Sequence, residues 1–236
     1  MRNFTFHNPT RILFGKGRIK EIKEHIPGKS RVLITYGGGS VKRTGVLDEV
    51  TAALTGYDVS EFGGIEPNPT YETLMQGVEL ARARGIDFLL AVGGGSVIDG
   101  TKFMAAACPY QGDPAEILTS FGRVVKQALP LGAVLTLPAS GSEMNAGAVI
   151  TRRAIGAKLP FANPLLFPVF SVLDPTKTYT LPAGQIGNGV VDTYVHIMEQ
   201  YLTYPSQAKI QDRFAEGLLM TLIEEGPKAL AEPENY

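Results

Sequence analysis

The sequence predicts an α/β protein, in which a parallel-sheet domain is followed by the first helices of a second, helical domain. Short apolar runs alternate with helical patterns up to Leu181, an order typical of a parallel α/β sheet. Two of these runs end in the same four residues, Gly-Gly-Gly-Ser. Beyond Pro182, two long helical patterns follow one another with no strand-like run between them.

Each predicted strand is a compact apolar run, and each predicted helix connects two such runs or follows the last one. The predicted strands are Arg11–Phe14, Arg31–Tyr36, Val59–Phe62, Phe88–Val92, Gly132–Leu137 and Phe170–Leu173. The predicted helices are Gly17–His25, Val41–Leu54, Tyr71–Arg84, the stretch from the second glycine turn to Cys108, Ile186–Tyr201 and Ala208–Leu230.

The change of pattern near Leu181 predicts a domain boundary. We expect residues 1–181 to form the sheet domain and residues 182–236 to begin the helical one. About 50 residues are few for an independent domain, so these helices should pack on the first domain or on a segment that is missing.

Composition and charge exclude several classes of protein. Of the 236 residues 44% are apolar, and 22 basic against 23 acidic side chains give a net charge of -1. No overall field therefore draws the chain to nucleic acid or to an acidic membrane surface. The N-terminal sequence lacks an apolar signal segment, and no stretch approaches the roughly 20 apolar residues of a membrane span. We expect a cytoplasmic protein.

The single cysteine, Cys108, excludes a disulfide within the chain. It directly follows the apolar run Phe103–Ala107. This setting favours a buried structural thiol over a reactive one.

The two glycine turns, Gly37–Ser40 and Gly93–Ser96, each connect a predicted buried strand to a predicted helix. Glycines let the backbone approach a phosphate, and the following helix offers free N–H groups and the positive end of its dipole. We expect Ser96 to act both as an N-cap and as a hydroxyl contact to phosphate. One such turn is equally typical of a tight strand–helix connection, but two at the carboxyl edge of a parallel sheet favour a ligand site.

Neither turn has the G-x-G-x-x-G spacing, and the first has no acidic residue at Gly39 or Ser40. An acid there would bind the ribose 2′-hydroxyl of NAD. Without it, a 2′-phosphate would meet backbone N–H groups and the Ser40 hydroxyl, with Lys42 and Arg43 nearby in the sequence. This favours NADP(H) over NAD(H).

Asp192 and His196 lie four residues apart on a predicted helix and therefore share a face. An oxygen and a nitrogen donor one turn apart can bind the same divalent metal. The alternative is a solvated hydrogen bond between the two side chains. No motif surrounds His7 or His25, so further ligands would have to come from residues that this sequence does not contain.

Two segments resemble signature motifs of the iron-containing (group III) alcohol dehydrogenases. The stretch Gly93–Lys102 is similar to their GGGSxxDxxK signature, and Thr136–Glu143 is similar to their second motif, with Ser140 where threonine is common. Pro9–Gly15 and Ile65–Pro69 resemble the branch of butanol dehydrogenases and NADPH-dependent aldehyde reductases. The likeness extends over all 236 residues.

The resemblance implies a Rossmann-like dinucleotide-binding domain followed by an all-helical metal-binding domain, as in the dehydroquinate synthase-like architecture. It also implies a role for each candidate residue. Three groups of residues would bind the coenzyme: the adenosine ribose and its phosphate would be held by Gly37, Gly38, Gly39 and Ser40, the pyrophosphate by Gly93, Gly94, Gly95 and Ser96, and the adenine and ribose region by Thr136, Ser140 and Lys158. The residues beside the nicotinamide and substrate would be Asp99 and Asn145. Two of four ligands to Fe²⁺ or Zn²⁺ would be Asp192 and His196.

The implied activity is metal-assisted, reversible hydride transfer between NADPH and aldehydes or primary alcohols, in a homodimer. Members of the family extend well past residue 236, and their two remaining ligands are later histidines, so we expect this chain to be truncated. One alternative is a non-catalytic nucleotide-binding remnant or subunit of such an enzyme. Another is a polyol dehydrogenase or a relative of dehydroquinate synthase, which the butanol dehydrogenase-like motifs disfavour.

Overall fold

The computed structural model describes residue 3, residues 5–204 and residues 207–236. The strands in these ranges are β1 (Arg11–Phe14), β2 (Arg31–Tyr36), β3 (Asp58–Phe62), β4 (Phe88–Gly94), β5 (Leu131–Leu137), β6 (Gly147–Arg152), β7 (Ala157–Ala162) and β8 (Phe170–Leu173). The α-helices are α1 (Ser40–Arg43), α2 (Val46–Ala53), α3 (Tyr71–Arg84), α4 (Gly95–Ala107), α5 (Ala115–Thr119), α6 (Ala183–Tyr201) and α7 (Lys209–Ala231).

Six of the strands form one parallel sheet in the order β1-β8-β5-β4-β2-β3. The chain leaves β2 to one side to form β3 and returns to its other side to form β4. The connections from β2 and β4 therefore diverge, and a crevice opens between the carboxyl ends of these two strands. Tyr36, the last residue of β2, pairs with Val92 of β4, so the fold places the two glycine turns side by side.

Two apolar clusters cover the two faces of the sheet. Leu33 and Leu89 belong to one cluster, and Val32, Ile34 and Leu90 belong to the other. The central strands are continuous apolar runs because helices bury both of their faces. The predicted parallel α/β fold is thus confirmed, and the predicted bounds of β1, β2, α3 and β8 match the structure.

Four features differ from the sequence prediction. The helix predicted over Val41–Leu54 is two helices, because Gly45 has a φ of 75° and breaks the chain between α1 and α2. The stretch Gly17–His25 forms a 3-10 helix over Arg18–Glu24 rather than an α-helix. The short helix α5 was not predicted. Nor was the antiparallel hairpin β6–β7, which packs outside the main sheet and exposes alternate residues.

Helices α6 and α7 follow one another, and the described residues between them form no strand, as predicted. They pack on each other closely, since a Cβ on Gly226 of α7 would lie 2.8 Å from Cγ1 of Val190 on α6. Several large apolar side chains of this pair face solvent, among them Val195, Phe214 and Ile223. Within the described ranges, no helix combines the length and the apolar character needed to cross a bilayer.

Cys108 follows the last residue of α4, and its thiol should react slowly. Its N–H donates to the carbonyl of Met104, and its side chain packs against the core. Burial raises the pKa of the thiol to about 11, against a lowering by the nearby Arg82 guanidinium. At pH 8 we expect the folded protein to react with Ellman's reagent roughly 100-fold more slowly than the urea-unfolded chain, whose thiol has a pKa of about 8.5. Rates within a factor of about three would contradict the assignment of a structural thiol.

Candidate functional site

The carboxyl ends of β2 and β4 border a cleft of about 340 Å³. Both glycine turns contribute to its walls, together with the end of β5 and the start of α6. Among the predicted binding residues, those that line it are Gly37, Gly38, Ser40, Gly93, Gly94, Gly95, Ser96 and Thr136. The structure thus brings the two turns together into one concave surface, at the edge where open α/β sheets bind ligands.

In the first turn, backbone conformation explains one of the three glycines and close packing explains a second. Gly39 has a φ of 93°, which disfavours any other residue, and a Cβ on Gly37 would lie 3.1 Å from the carbonyl oxygen of Ile65. Gly38 has neither constraint, since its added Cβ would meet no atom within 4 Å. Gly38 also lines the cleft. The absence of a side chain at Gly38 therefore leaves room for a ligand to approach the backbone.

The second turn is tighter than predicted. Gly93 and Gly94 are the last residues of β4, and α4 begins at Gly95, so strand and helix join directly. Ser96 is the second residue of the helix and not its N-cap, which is Gly94, so the predicted capping role was wrong. A Cβ on Gly95 would lie 2.3 Å from the Ser140 hydroxyl oxygen. The first-turn N–H groups of α4 have no partner within the helix and are available to an anion.

Lys158 is brought to this second turn by the hairpin. Its Nζ donates to Oδ1 of Asn68 at 2.7 Å, and the Asn68 N–H donates to the Ser96 hydroxyl oxygen at 3.3 Å. Asn68 itself has a φ of 56°. Lys158 is thus linked through Asn68 to Ser96 at the start of α4.

A second cavity, of about 480 Å³, lies between α4, the β6–β7 hairpin and α6. Asp99, Asn145 and His196 all line it, and so does Ser140. Apolar side chains such as Val149 and Phe161 form much of the remaining wall. Both predicted catalytic residues and one predicted metal ligand thus face the same space.

Lys102 holds one wall of this cavity, a role that the sequence analysis missed. It is completely buried. Its Nζ donates to the carbonyl oxygens of Ser142 and Gly147 at 2.7 and 2.8 Å, to Oδ1 of Asn145 at 2.9 Å and to the Ser142 hydroxyl oxygen at 3.1 Å. The available signal in the sequence was a lysine directly before the apolar run Phe103–Ala107, about one helical turn after Asp99.

The Asn145 amide has a fixed orientation. Its Oδ1 accepts from Lys102 and also from the N–H of Gly147 at 3.0 Å. The amide oxygen is therefore used within the protein, and the two N–H groups of Nδ2 are left as donors for a ligand in the cavity.

Asp99 joins α4 to the same wall. Its carboxylate accepts from the Ser142 hydroxyl and from the N–H of Val149, the latter at 2.9 Å. Burial raises the pKa of Asp99, although these two hydrogen bonds and Lys102 favour its charged form. Burial also lowers the pKa of Lys102 to about 8, against the attraction of Asp99 and Glu143.

The predicted metal-binding pair is formed on α6. Oδ2 of Asp192 and Nε2 of His196 are 3.6 Å apart, one helical turn from each other, and both side chains are 51% exposed. Donors at this spacing, with that much free surface, can converge on one ion. Across the described part of the chain, no cluster of three or more His, Cys, Asp or Glu residues could hold a metal. The pair alone could therefore supply at most two ligands to an ion.

The fold places this protein in the class of doubly wound α/β proteins with their ligand cleft at the switch point of the sheet. The family model for iron-containing alcohol dehydrogenase matches residues 9–175. The chain belongs to the iron-containing alcohol dehydrogenase family.

Curated relatives match the whole chain. It is 65% identical over 238 residues to the NADPH-dependent aldehyde reductase YqhD of Escherichia coli K12, and covers 62% of that protein. It is 47% identical over 239 residues to the probable NADH-dependent butanol dehydrogenase 1 of Bacillus subtilis, and again covers 62%. The chain thus spans less than two thirds of the length of these relatives.

Solved structures agree with this assignment. The crystal structure of Escherichia coli YqhD superposes with a TM-score of 0.97 at 64% identity, over 99% of this chain and 60% of that one. The structure of NADH-dependent butanol dehydrogenase A from Thermotoga maritima superposes with a TM-score of 0.94 at 38% identity, over 100% of this chain and 60% of that one.

The buried Lys102 ammonium should give the protein a characteristic pH dependence of stability. Between its folded pKa of about 8 and its unfolded value of 10.5, the unfolded chain holds a proton that the folded chain has released. Raising the pH through this window therefore favours folding, by roughly 3 kcal/mol at most, and the contribution is lost again as the pH falls through 8.

Urea unfolding at several pH values between about 7 and 10, followed by circular dichroism, measures this contribution. The free energy of unfolding should rise with pH in the wild type relative to Lys102→Met. Lys126→Met removes an exposed lysine and should give a curve parallel to that of the wild type. Parallel curves for the wild type and Lys102→Met would contradict the assigned pKa.

Proposed function

We propose that this chain is the nucleotide-binding part of a metal-dependent aldehyde reductase or alcohol dehydrogenase. The reaction is reversible hydride transfer between NADPH and aldehydes or primary alcohols. One observation carries the proposal: the glycine-lined cleft between β2 and β4 adjoins the cavity lined by Asp99, Asn145 and His196, with Ser140 between them. The printed names of the Escherichia coli and Bacillus subtilis relatives support the same chemistry.

The coenzyme lies across the carboxyl edge of the sheet in this proposal. The first turn binds the adenosine ribose and its phosphate, and the start of α4 binds the pyrophosphate through free N–H groups. Thr136, Ser140 and Lys158 hold the adenine and ribose region. The absence of an acid at Gly39 and Ser40, together with the NADPH dependence in the name of the Escherichia coli relative, supports NADP(H) as the preferred coenzyme.

Asp192 and His196 would hold Fe²⁺ or Zn²⁺, since one carboxylate oxygen and one imidazole nitrogen suit both ions. The ion would supply Lewis acidity that polarises the carbonyl oxygen of the substrate. His196 also lines the cavity, so this end of α6 is where the substrate oxygen would bind.

The remaining residues of the cavity bind and orient the reactants. Asn145 offers amide N–H donors to a carbonyl oxygen, because its own oxygen is already bonded to Lys102 and Gly147. Asp99 fixes the hairpin against α4 through its bonds to Ser142 and Val149. The apolar wall that includes Val149 and Phe161 excludes water from the site of hydride transfer.

The domain division and the assembly state are part of the proposal. Residues 1–181 form the nucleotide-binding domain, residues 182–236 belong to the helical metal-binding domain, and the protein forms a homodimer.

The rival function is a nucleotide-binding remnant or subunit without turnover of its own. It is favoured by the absence, among the described residues, of any cluster of three or more His, Cys, Asp or Glu residues that could hold a metal.

Replacement of Gly38 tests the nucleotide cleft without a cost in folding. A Cβ at Gly38 would meet no protein atom within 4 Å, and Gly38 lines the cleft, so we expect Gly38→Val to keep wild-type stability but to bind NADPH at least about tenfold more weakly. Gly28→Val is the matched control, because Gly28 is also unobstructed but precedes β2 at the opposite edge of the sheet. Fluorescence titration with NADPH measures both. Equal affinity in Gly38→Val and wild type would exclude the cleft as the coenzyme site.

Turnover and metal content separate the enzyme from its rival. We expect the 236-residue chain to bind NADPH but to oxidise it slowly with aldehydes, because two ligands hold a metal ion weakly. Asp192→Ala should remove both the bound metal and the residual turnover. NADPH oxidation and metal analysis across a panel of aldehydes measure this. Turnover as fast as that of the Escherichia coli relative, abolished by Asp192→Ala, would refute the prediction that two ligands hold the metal ion weakly. Nucleotide binding without metal or turnover would favour the remnant.

A further inference from the structure

The first glycine turn belongs to a βαβ unit that runs from β2 through α1 and α2 to β3. In dinucleotide-binding βαβ units, an acidic residue about 20 residues beyond the glycine turn, at the end of the second strand, accepts from the ribose 2′-hydroxyl and so favours NAD over NADP. Glu61 stands at this position, one residue before the end of β3. The strand next to β2 thus carries the acid that the turn itself lacks.

The Glu61 carboxylate is already occupied in this structure. Its Oε2 accepts from the Tyr36 hydroxyl at 3.0 Å and pairs with Nζ of Lys42 at 3.4 Å. Lys42 also lies over the Tyr36 ring, 4.9 Å from its centroid. Lys42, Tyr36 and Glu61 form a cluster, which we name the Lys42 cluster.

The residues of the Lys42 cluster do not line the coenzyme cleft themselves, but two of them are close in the chain to residues that do. Tyr36 is the last residue of β2 and immediately precedes Gly37, and Lys42 is the third residue of α1, whose first residue, Ser40, lines the cleft. Tyr36 is fixed in place, because it is buried and its ring fills the space that a side chain at Gly63 would need. The Lys42 ammonium is therefore held at the β3 side of the turn, with half of its side chain exposed.

We propose that Lys42 selects the phosphorylated coenzyme by neutralising Glu61 and donating to the ribose 2′-phosphate. Without Lys42, the free Glu61 carboxylate repels a 2′-phosphate and accepts from a 2′-hydroxyl, so NADH is favoured. The inference rests on the proposed function, since it assumes that a nicotinamide nucleotide binds in the cleft. The relatives include proteins named for NADPH and for NADH, so membership of the family leaves this choice to individual side chains.

Calorimetric titration of the purified chain with NADPH and with NADH tests the proposal. We expect Lys42→Met to weaken NADPH binding roughly 10- to 100-fold, the range for loss of a charge-assisted contact, and to leave NADH binding unchanged or tighter. Glu61→Gln should bind NADPH at least as tightly as the wild type. The double variant Lys42→Met/Glu61→Gln should recover part of the NADPH affinity that Lys42→Met loses, because the repelling carboxylate is gone.

Lys126→Met is the control, since it removes an equal charge from an exposed lysine that lines neither the cleft nor the cavity, and it should keep the wild-type ratio of the two affinities. Adenosine 2′,5′-bisphosphate and AMP, which differ only in the 2′-phosphate, should repeat the pattern without a nicotinamide.

The role of Lys42 would be overturned by an unchanged NADPH to NADH ratio in Lys42→Met or by an equal loss for both nucleotides. A Lys126→Met loss of the same size, or no recovery in the double variant, would overturn it as well. These results leave the proposed function standing as long as the wild type binds NADPH. A wild-type chain that binds neither nucleotide would overturn both.

Discussion

The buried ammonium of Lys102 is the constraint on which the site depends. A charged group out of contact with water is tolerated only when polar partners replace its hydration, and here four oxygen atoms do so. All four belong to the segment 142–147, which leads from the end of β5 into the hairpin. Helix α4 therefore begins at the second glycine turn and, two helical turns later, fixes the wall of the neighbouring cavity. One rigid element sets the spacing between cleft and cavity.

Much of the sheet could be predicted from the sequence because its central strands are buried on both faces. Such strands are unbroken apolar runs, and glycine ends two of them, so β2 and β4 were found with their turns. The convergence of the turns followed from a general property of parallel sheets, whose carboxyl ends share one edge. The Asp192 and His196 pair was equally accessible, since it depends only on the period of one helix.

Long-range side-chain contacts could not be predicted in this way. The oxygens around Lys102 lie some 40 residues further along the chain, and no local pattern relates them to a lysine in an apolar helix. Glu61 was overlooked because its partners, Tyr36 and Lys42, precede it by a whole helical connection. The hairpin β6–β7 lies outside the main sheet, and its strands alternate between buried and exposed residues without a strong turn signal. The division of Val41–Leu54 depended on the left-handed conformation of Gly45, which periodicity does not report.

The pairing of the first strand with the last has a consequence for biosynthesis. β1 lies at the edge of the sheet and hydrogen-bonds only to β8, with Arg11 opposite Phe170 and Phe14 opposite Leu173, and the Asp174 carboxylate accepts from the N–H of Gly17 at 2.7 Å. A nascent chain therefore keeps its N-terminal strand unpaired until the ribosome has released residues 170–174. Closing so long a loop is slow. Until β8 has been synthesised, the edge of β5 that β8 will cover stays unpaired, and an unpaired edge can associate with other strands.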